Sequence, residues 1–223
     1  MRLPLMPLNA VLFPWMPMPL AVFEERYLRM VRECQEAGQL FGIALIRRGP
    51  EVGGIAEPYR IGTTARLVRT TPSEPGLQAL VIGQERFRVD SVEVEDDMLR
   101  AEVTLLEFEQ RDHMVSSELC QELGQMLSAH IETVLKLMGM PALDLAVPDD
   151  PERLSYMIAA HLTASLEQRQ QLLEVETAAE RLLYERELLR EESEQYRELL
   201  AAFEVAEKTQ PGTVSKNGLF SRN

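Results

Sequence analysis

The sequence predicts an α+β fold, with strands gathered in its first half and helices in its second. Three observations carry that reading. Residues 41–105 fall into short apolar or alternating runs separated by Gly- and Pro-containing turns. From Ser116 onward, apolar residues recur at helical spacing behind recognisable capping residues. Residues 3–23 carry no charge, yet Pro4, Pro7, Pro14, Pro17 and Pro19 interrupt them. Each proline removes a backbone donor and costs roughly 3 kcal/mol inside a helix, so no continuous helix forms there.

The elements follow in order. A first helix is expected from about Ala21 to Ala37. Phe23, Tyr27, Met30, Val31 and Cys34 share one face, charged residues fill the other, and Gly38 stands just past the end. Phe41–Ile46 reads as a buried strand, and Arg47-Arg48-Gly49-Pro50 and Gly53-Gly54 as turns. Residues 61–68 are rich in β-branched side chains, and Thr71–Gly76 reads as a hairpin loop into a strand over 77–82. Residues 86–94 and 99–105 alternate apolar with polar, as half-buried antiparallel strands do. Asp96-Asp97 reads as a solvated hairpin turn rather than a metal site. Five or six short strands at this spacing predict a small barrel. Prolines near the first strand confine it to an edge or a strand end.

The second half reads as a helical bundle. One helix runs over 116–138. Asp150 as N-cap with Pro151 behind it starts another that ends near Leu162. Ser165-x-x-Gln168 and Thr177-x-x-Glu180 read as capping boxes opening helices over 166–174 and 177–207. In the last helix Leu182, Leu189, Tyr196 and Phe203 repeat every seven residues, but Arg186 and Ser193 at the companion positions support a sustained coiled coil only weakly. Residues 1–110 are therefore expected to form a barrel subdomain with one helix, 111–208 a helical bundle, and 209–223 a disordered polar tail.

Composition narrows the function classes. The hydrophobic fraction is 45% and the charged fraction 26%, as in globular chains that bury a core. The net charge is −13: residues 1–108 hold 12 basic against 15 acidic side chains, and the remainder 11 against 21. Without clustered positive charge, neither nucleic acid nor an anionic membrane is an expected partner. The chain also lacks a basic n-region and a cleavage site in its uncharged lead-in. A cytoplasmic location follows, with Cys34 and Cys120 as reduced core filler.

Catalytic chemistry is not expected. No G-x-x-x-x-G-K-[ST] phosphate loop is present. The lysines are Lys136, Lys208 and Lys216, and only Lys136, on a predicted helix with no strand-borne serine beside it, could enter a serine–lysine dyad. His113, His130 and His161 are scattered, and no cysteine pair has metal spacing. No cofactor or metal is therefore expected. The segment weighed for binding is Trp15-Met16-Pro17-Met18-Pro19. Its apolar groups either cover one end of the barrel or form an exposed, adaptable patch for other polypeptides. Trp15, Met16 and Met18 are the candidate protein-binding residues.

Several strings, in order, resemble the N-terminal domain of the Lon ATP-dependent proteases. They are Leu3-Pro4-Leu5 with Leu12-Phe13-Pro14, Glu25-Arg26-Tyr27, Phe41-Gly42-Ile43, Ile61-Gly62-Thr63 with Ala65-Arg66-Leu67, and Gly83-x-Glu85-Arg86-Phe87-Arg88-Val89. Asp150-Pro151-Glu152-Arg153-Leu154, Gln171-Leu172-Leu173-Glu174 and Ala179-Glu180-Arg181-Leu182 resemble its helical half. The resemblance implies a PUA-like pseudo-barrel followed by helices, as in stand-alone Lon-domain proteins. It implies no catalytic residues. The implied role is recognition of unfolded or damaged polypeptides, or service as an adaptor for proteolysis in protein quality control. PUA-like barrels also include RNA-binding modules, which is the alternative reading. Weak self-association through the long last helix is the expected homo-oligomeric contact.

Overall fold

The computed structural model describes residues 1–106 and 115–209; His113 and the predicted tail beyond Thr209 lie outside this range. The chain divides into two compact units, Met1–Gln110 with Ala164–Glu176, and Arg111–Thr163 with Thr177–Asn223. The helical half expected over 111–208 is thus not one continuous block, because residues 164–176 belong with the strands.

In the first unit the elements are β1 (Arg2–Leu8), β2 (Pro17–Val22), α1 (Glu25–Ala37), β3 (Phe41–Arg48), β4 (Glu57–Pro58), β5 (Ile61–Pro72), β6 (Leu77–Glu95), β7 (Met98–Leu105) and, from later in the chain, α4 (Leu166–Glu174). The sheet runs β1-β7-β6-β5-β3, and a parallel β1–β3 pairing closes it on itself. Closure removes most of the sheet's edges. The sequence predicts that prolines confine the first strand to an edge or a strand end, but β1 is not an edge strand, because it pairs with both β3 and β7. Arg2–Leu5 pair with β7 and Leu5–Leu8 with β3, so each proline lies where the strand has a partner on one side only.

Alternation along the strands sends side chains to two layers. Leu3, Leu5, Ala44, Phe87, Leu99 and Val103 form one cluster. Met6, Leu12, Phe41, Ile43 and Val81 form another against Tyr27, Met30, Val31 and Cys34 of α1. Helix α1 begins at Glu25 rather than Ala21, because Ala21 and Val22 pair with Gln78 and Leu77 as the end of β2. It ends at Gly38, whose φ of 64° is the left-handed conformation that favours glycine. The strands predicted over 77–82 and 86–94 are one 19-residue strand, whose pairings shift register near Thr64, Val68 and Asp90. Such bulges bend a strand, so its first part can pair with β2 while its second pairs with β7.

Helix α4 is fixed to this sheet by buried polar chemistry. Arg86 is 4% exposed, although alternation along β6 placed its charge towards water. Its guanidinium donates to the carbonyl oxygens of Leu173, Val175 and Glu176 at 3.0, 2.7 and 3.2 Å. A cation at the C-terminus of a helix meets the negative end of its dipole. The Gln170 amide donates to the Ile61 carbonyl at 3.0 Å.

The second unit contains α2 (Ser117–Leu137), α3 (Pro151–His161) and α5 (Ala178–Thr209). The cap expected at Asp150 forms, with Oδ1 accepting from the Arg153 N–H at 2.8 Å. Ser116, expected as the first residue of its helix, is instead the N-cap of α2, with Oγ accepting from the Leu119 N–H. Ser165 and Gln168 make the full reciprocal capping box ahead of α4. At α5 the Thr177 hydroxyl accepts from the Glu180 N–H but donates to the Glu180 carboxylate, a side-chain variant of the box. Leu182 and Leu189 of the heptad series are fully buried.

Arg181, Glu152, Ser155 and Glu185 form a buried polar cluster between α3 and α5. Arg181 pairs with Glu152 at 2.9 Å and lies over the Tyr156 ring at 4.0 Å. Ser155 takes a hydrogen bond from Arg181 and gives one to Glu185. Burial pushes the Glu185 carboxyl well above its ordinary value; Arg181 and the Ser155 hydrogen bond oppose the shift and Glu152 adds to it. His130 is buried, with Nδ1 3.0 Å from Ser193 Oγ. Burial holds its pKa down, against the pull of Glu192.

Candidate functional site

The residues around the proline-rich lead-in build a groove in the first unit. After β1 the chain passes Leu12 and Phe13, both buried, and turns at Pro14–Met16. The turn is held against β6: the Trp15 N–H donates to the Gly83 carbonyl at 2.9 Å, and the Gly83 N–H to the Met16 carbonyl at 3.0 Å. Position 83 must be glycine because a Cβ there would overlap the Phe13 carbonyl. Trp15 adopts a left-handed φ of 59°, unusual for so large a residue. Strand β2 then sends Met18, Leu20 and Val22 inward, while Pro17, Pro19 and Ala21 face out.

This inward row forms one wall of a cavity of about 370 Å³. Met6 and Leu8 of β1, Phe23, Tyr27 and Val52 of the β3–β4 loop add to its mainly apolar lining, which Glu24 and Glu51 also reach. The volume lies at the lower end of the range for binding pockets. Phe23 and Val52 on this lining are 46% and 54% exposed. Phe23 was expected on the buried face of the first helix, but it precedes α1 and faces solvent instead.

Two carboxylates fix the loop that borders the groove. Glu51 accepts from the Asn9 backbone N–H at 2.8 Å and from its side-chain amide at 2.9 Å. Glu24 accepts from the Gly53 N–H at 3.1 Å and from Arg26 at 2.9 Å. Arg26 in turn lies over the Tyr27 ring at 4.7 Å and donates to the Asp97 carbonyl. Burial raises the Tyr27 pKa, Arg26 opposes, and Glu24 and Glu51 add to the rise, so the phenol stays neutral. The groove therefore offers mainly apolar area, with the neutral Tyr27 phenol and the engaged carboxylates of Glu24 and Glu51 on its lining.

The candidate residues separate here. Met18 lines the groove. Trp15 and Met16 are half-buried in the turn before β2 and are not part of the lining. Sequence reasoning missed Phe23, Val52 and Tyr27, which come together from three separate segments. The remaining chemical candidates have structural surroundings. Lys136 pairs with Glu132 at 2.7 Å on the exposed face of α2. The carbonyls of Asp96 and Asp97, in their hairpin turn, accept from Arg29 and Arg26. Neither Cys34 nor Cys120 is in a disulfide, and burial, with Glu33 adding, pushes Cys34 up to about 11. Among the described residues no group of His, Cys, Asp and Glu has metal-binding geometry, and no helix is long and apolar enough to cross a membrane.

Comparison with known proteins accords with this architecture. The family model for the ATP-dependent protease La (LON) substrate-binding domain matches residues 2–191. Lon protease 2 of Myxococcus xanthus is 30% identical over 96% of this chain and 26% of its own length. Lon protease of Anaeromyxobacter dehalogenans is 29% identical over 96% of this chain and 25% of its own. The chain thus spans about a quarter of the length of these relatives. The crystal structure of a Lon N-terminal domain protein from Xanthomonas campestris is 28% identical with a TM-score of 0.60, covering 82% of this chain and 96% of that one. The N-terminal domain of Mycobacterium avium complex Lon protease shares the fold, with a TM-score of 0.65 at 20% identity over 85% of this chain and 98% of that one. The closed strand ring, the helical unit and the match over residues 2–191 together place this chain in the Lon substrate-binding domain family.

Proposed function

We propose that this chain binds unfolded or damaged polypeptides through the groove bordered by β2, α1 and the β3–β4 loop. In this reading it presents them for proteolysis and catalyses nothing itself. The observation that carries the reading is the lining: Met18, Phe23 and Val52 leave apolar area open to solvent beside a formed cavity. An extended segment can bury one or two large apolar side chains there, each contributing about 1.5–3 kcal/mol before association costs. Methionine side chains adapt to varied shapes, which suits a binder of many sequences. Membership of a substrate-binding family supports the same role. Met18 is the proposed principal contact. Trp15 and Met16 are proposed to contribute through the turn that sets where β2 begins.

The test is equilibrium binding of a reduced, permanently unfolded polypeptide to the purified chain. Phe23→Ser with Val52→Ser alters only exposed apolar area and should weaken binding about tenfold, a loss of about 1.4 kcal/mol, with little change in Tm. Met18→Glu, which places a charge on the wall, should weaken it further. Unchanged affinity in both variants would remove the groove from the account.

A further inference from the structure

The first unit has a second feature that the groove does not use. Strand β5 pairs with β3 only through Thr63, Thr64 and Ala65, so on that side its backbone from Arg66 to Thr71 has no strand partner among the described residues. The end of α1 flanks this open edge. Between them lies a cavity of about 260 Å³, with Cys34 and Leu67 in its lining and the exposed side chains of Gln35 and Gln39 beside it. The edge of β2 is different, because Pro17 and Pro19 deny an incoming strand two donors.

The bulge in β5 gives the open edge a charge pattern. Arg66 lies opposite Ile82 and Arg69 opposite Leu80, with Val68 as the extra residue. Ile82 and Leu80 are two apart and share a face of β6, so Arg66 and Arg69 also share a face. Without the bulge, three-residue spacing would send them to opposite faces. Both are exposed, and neither has an ion pair among the described residues, in a chain of net charge −13.

We propose that the β5 edge docks an extended acidic polypeptide segment by strand addition. Backbone hydrogen bonds to residues 66–71 hold it, and carboxylates at alternate positions pair with Arg66 and Arg69. Six residues of strand give about 20 Å of edge, enough for such a segment. Alternation on the ligand matches the two-position step between the arginines, and the rim amides of Gln35 and Gln39 can donate to its carboxylates or carbonyls.

The experiment titrates the full chain with a labelled ten-residue peptide alternating Glu with Val or Thr, read by fluorescence anisotropy, with backbone amide shifts followed by NMR. The acidic probe should bind and shift amides within 66–71. Arg66→Glu with Arg69→Glu should weaken binding by about tenfold or more, and added salt should weaken it in the parent. A probe N-methylated at alternate backbone nitrogens should lose binding, which separates strand addition from charge attraction alone. Four results would each overturn the proposal: no binding of the acidic probe, equal binding of a Lys-for-Glu probe, an unaffected double variant, or undiminished binding of the N-methylated probe. Shifts confined to residues 18–27 would assign the peptide to the groove instead. Met18→Glu should leave acidic-probe binding unchanged, so the two sites stand or fall separately.

Discussion

Arg86 shows how one side chain can do what its sequence position disguises. It sits in an alternating strand where a charge should meet water, yet it is buried and donates to three carbonyl oxygens at the end of α4. Removing it would take one buried, charged donor from each of those carbonyls, a cost of the kind that reaches about 2–4 kcal/mol. Arg86→Met should lower the denaturation free energy by about that amount, measured by urea unfolding, and should speed amide exchange in residues 166–176 before the rest of the sheet. Uniform exchange with unchanged stability would mean that α4 is held without help from Arg86. Met18 has the opposite character. Its candidacy for binding was legible from the sequence, but its half-buried place beside Phe23 and Val52 was not, since pairing of β2 with β6 and the stapling of the 51–53 loop by Glu24 and Glu51 depend on long-range contacts. Trp15 gave no sign of its left-handed backbone, which follows from the hydrogen bonds to Gly83.

Among the elements, those with local signals were readable and those set by pairing were not. Gly38, Asp150 and the Ser165–Gln168 box marked helix ends through backbone chemistry that needs only neighbouring residues. The start of α1 was misplaced because Ala21 and Val22 satisfy a helical pattern as well as a strand one, and their partners in β6 lie more than fifty residues away. The union of two predicted strands into β6 has the same origin, because bulges that bend a strand leave little trace in its periodicity. The α3–α5 contact yields a prediction about pH. Burial raises the Glu185 pKa, so the folded chain keeps this proton while the unfolded chain releases it above about pH 4.3. The stability that Glu185 contributes is therefore complete below that pH and declines as pH rises towards its folded value. Glu185→Gln, which keeps the shape and removes the ionisation, should be more stable than the parent at pH 8 and equal to it at pH 4, measured by thermal unfolding. An excess stability that grows towards low pH would reverse the assignment.

For the whole molecule, the α+β class and the order of strands before helices were visible in the sequence. The discontinuous first unit was not. Residues 164–176 carry a helix signal like any other, and it is long-range contacts such as those of Arg86, Gln170 and Arg169 that join this helix to the strands. That arrangement ties two stretches of the same unit that are far apart in the chain. The central claim is that unfolded polypeptide occupies the groove. The most direct measurement is photocrosslinking of bound unfolded polypeptide, with a benzophenone amino acid placed at Val52 and, as a control of equal exposure, at Val94 on β6. The account predicts polypeptide adducts at Val52 that are displaced by unlabelled competitor, and none above background at Val94. Equal labelling at both positions, or a bound polypeptide that never labels Val52, would contradict it.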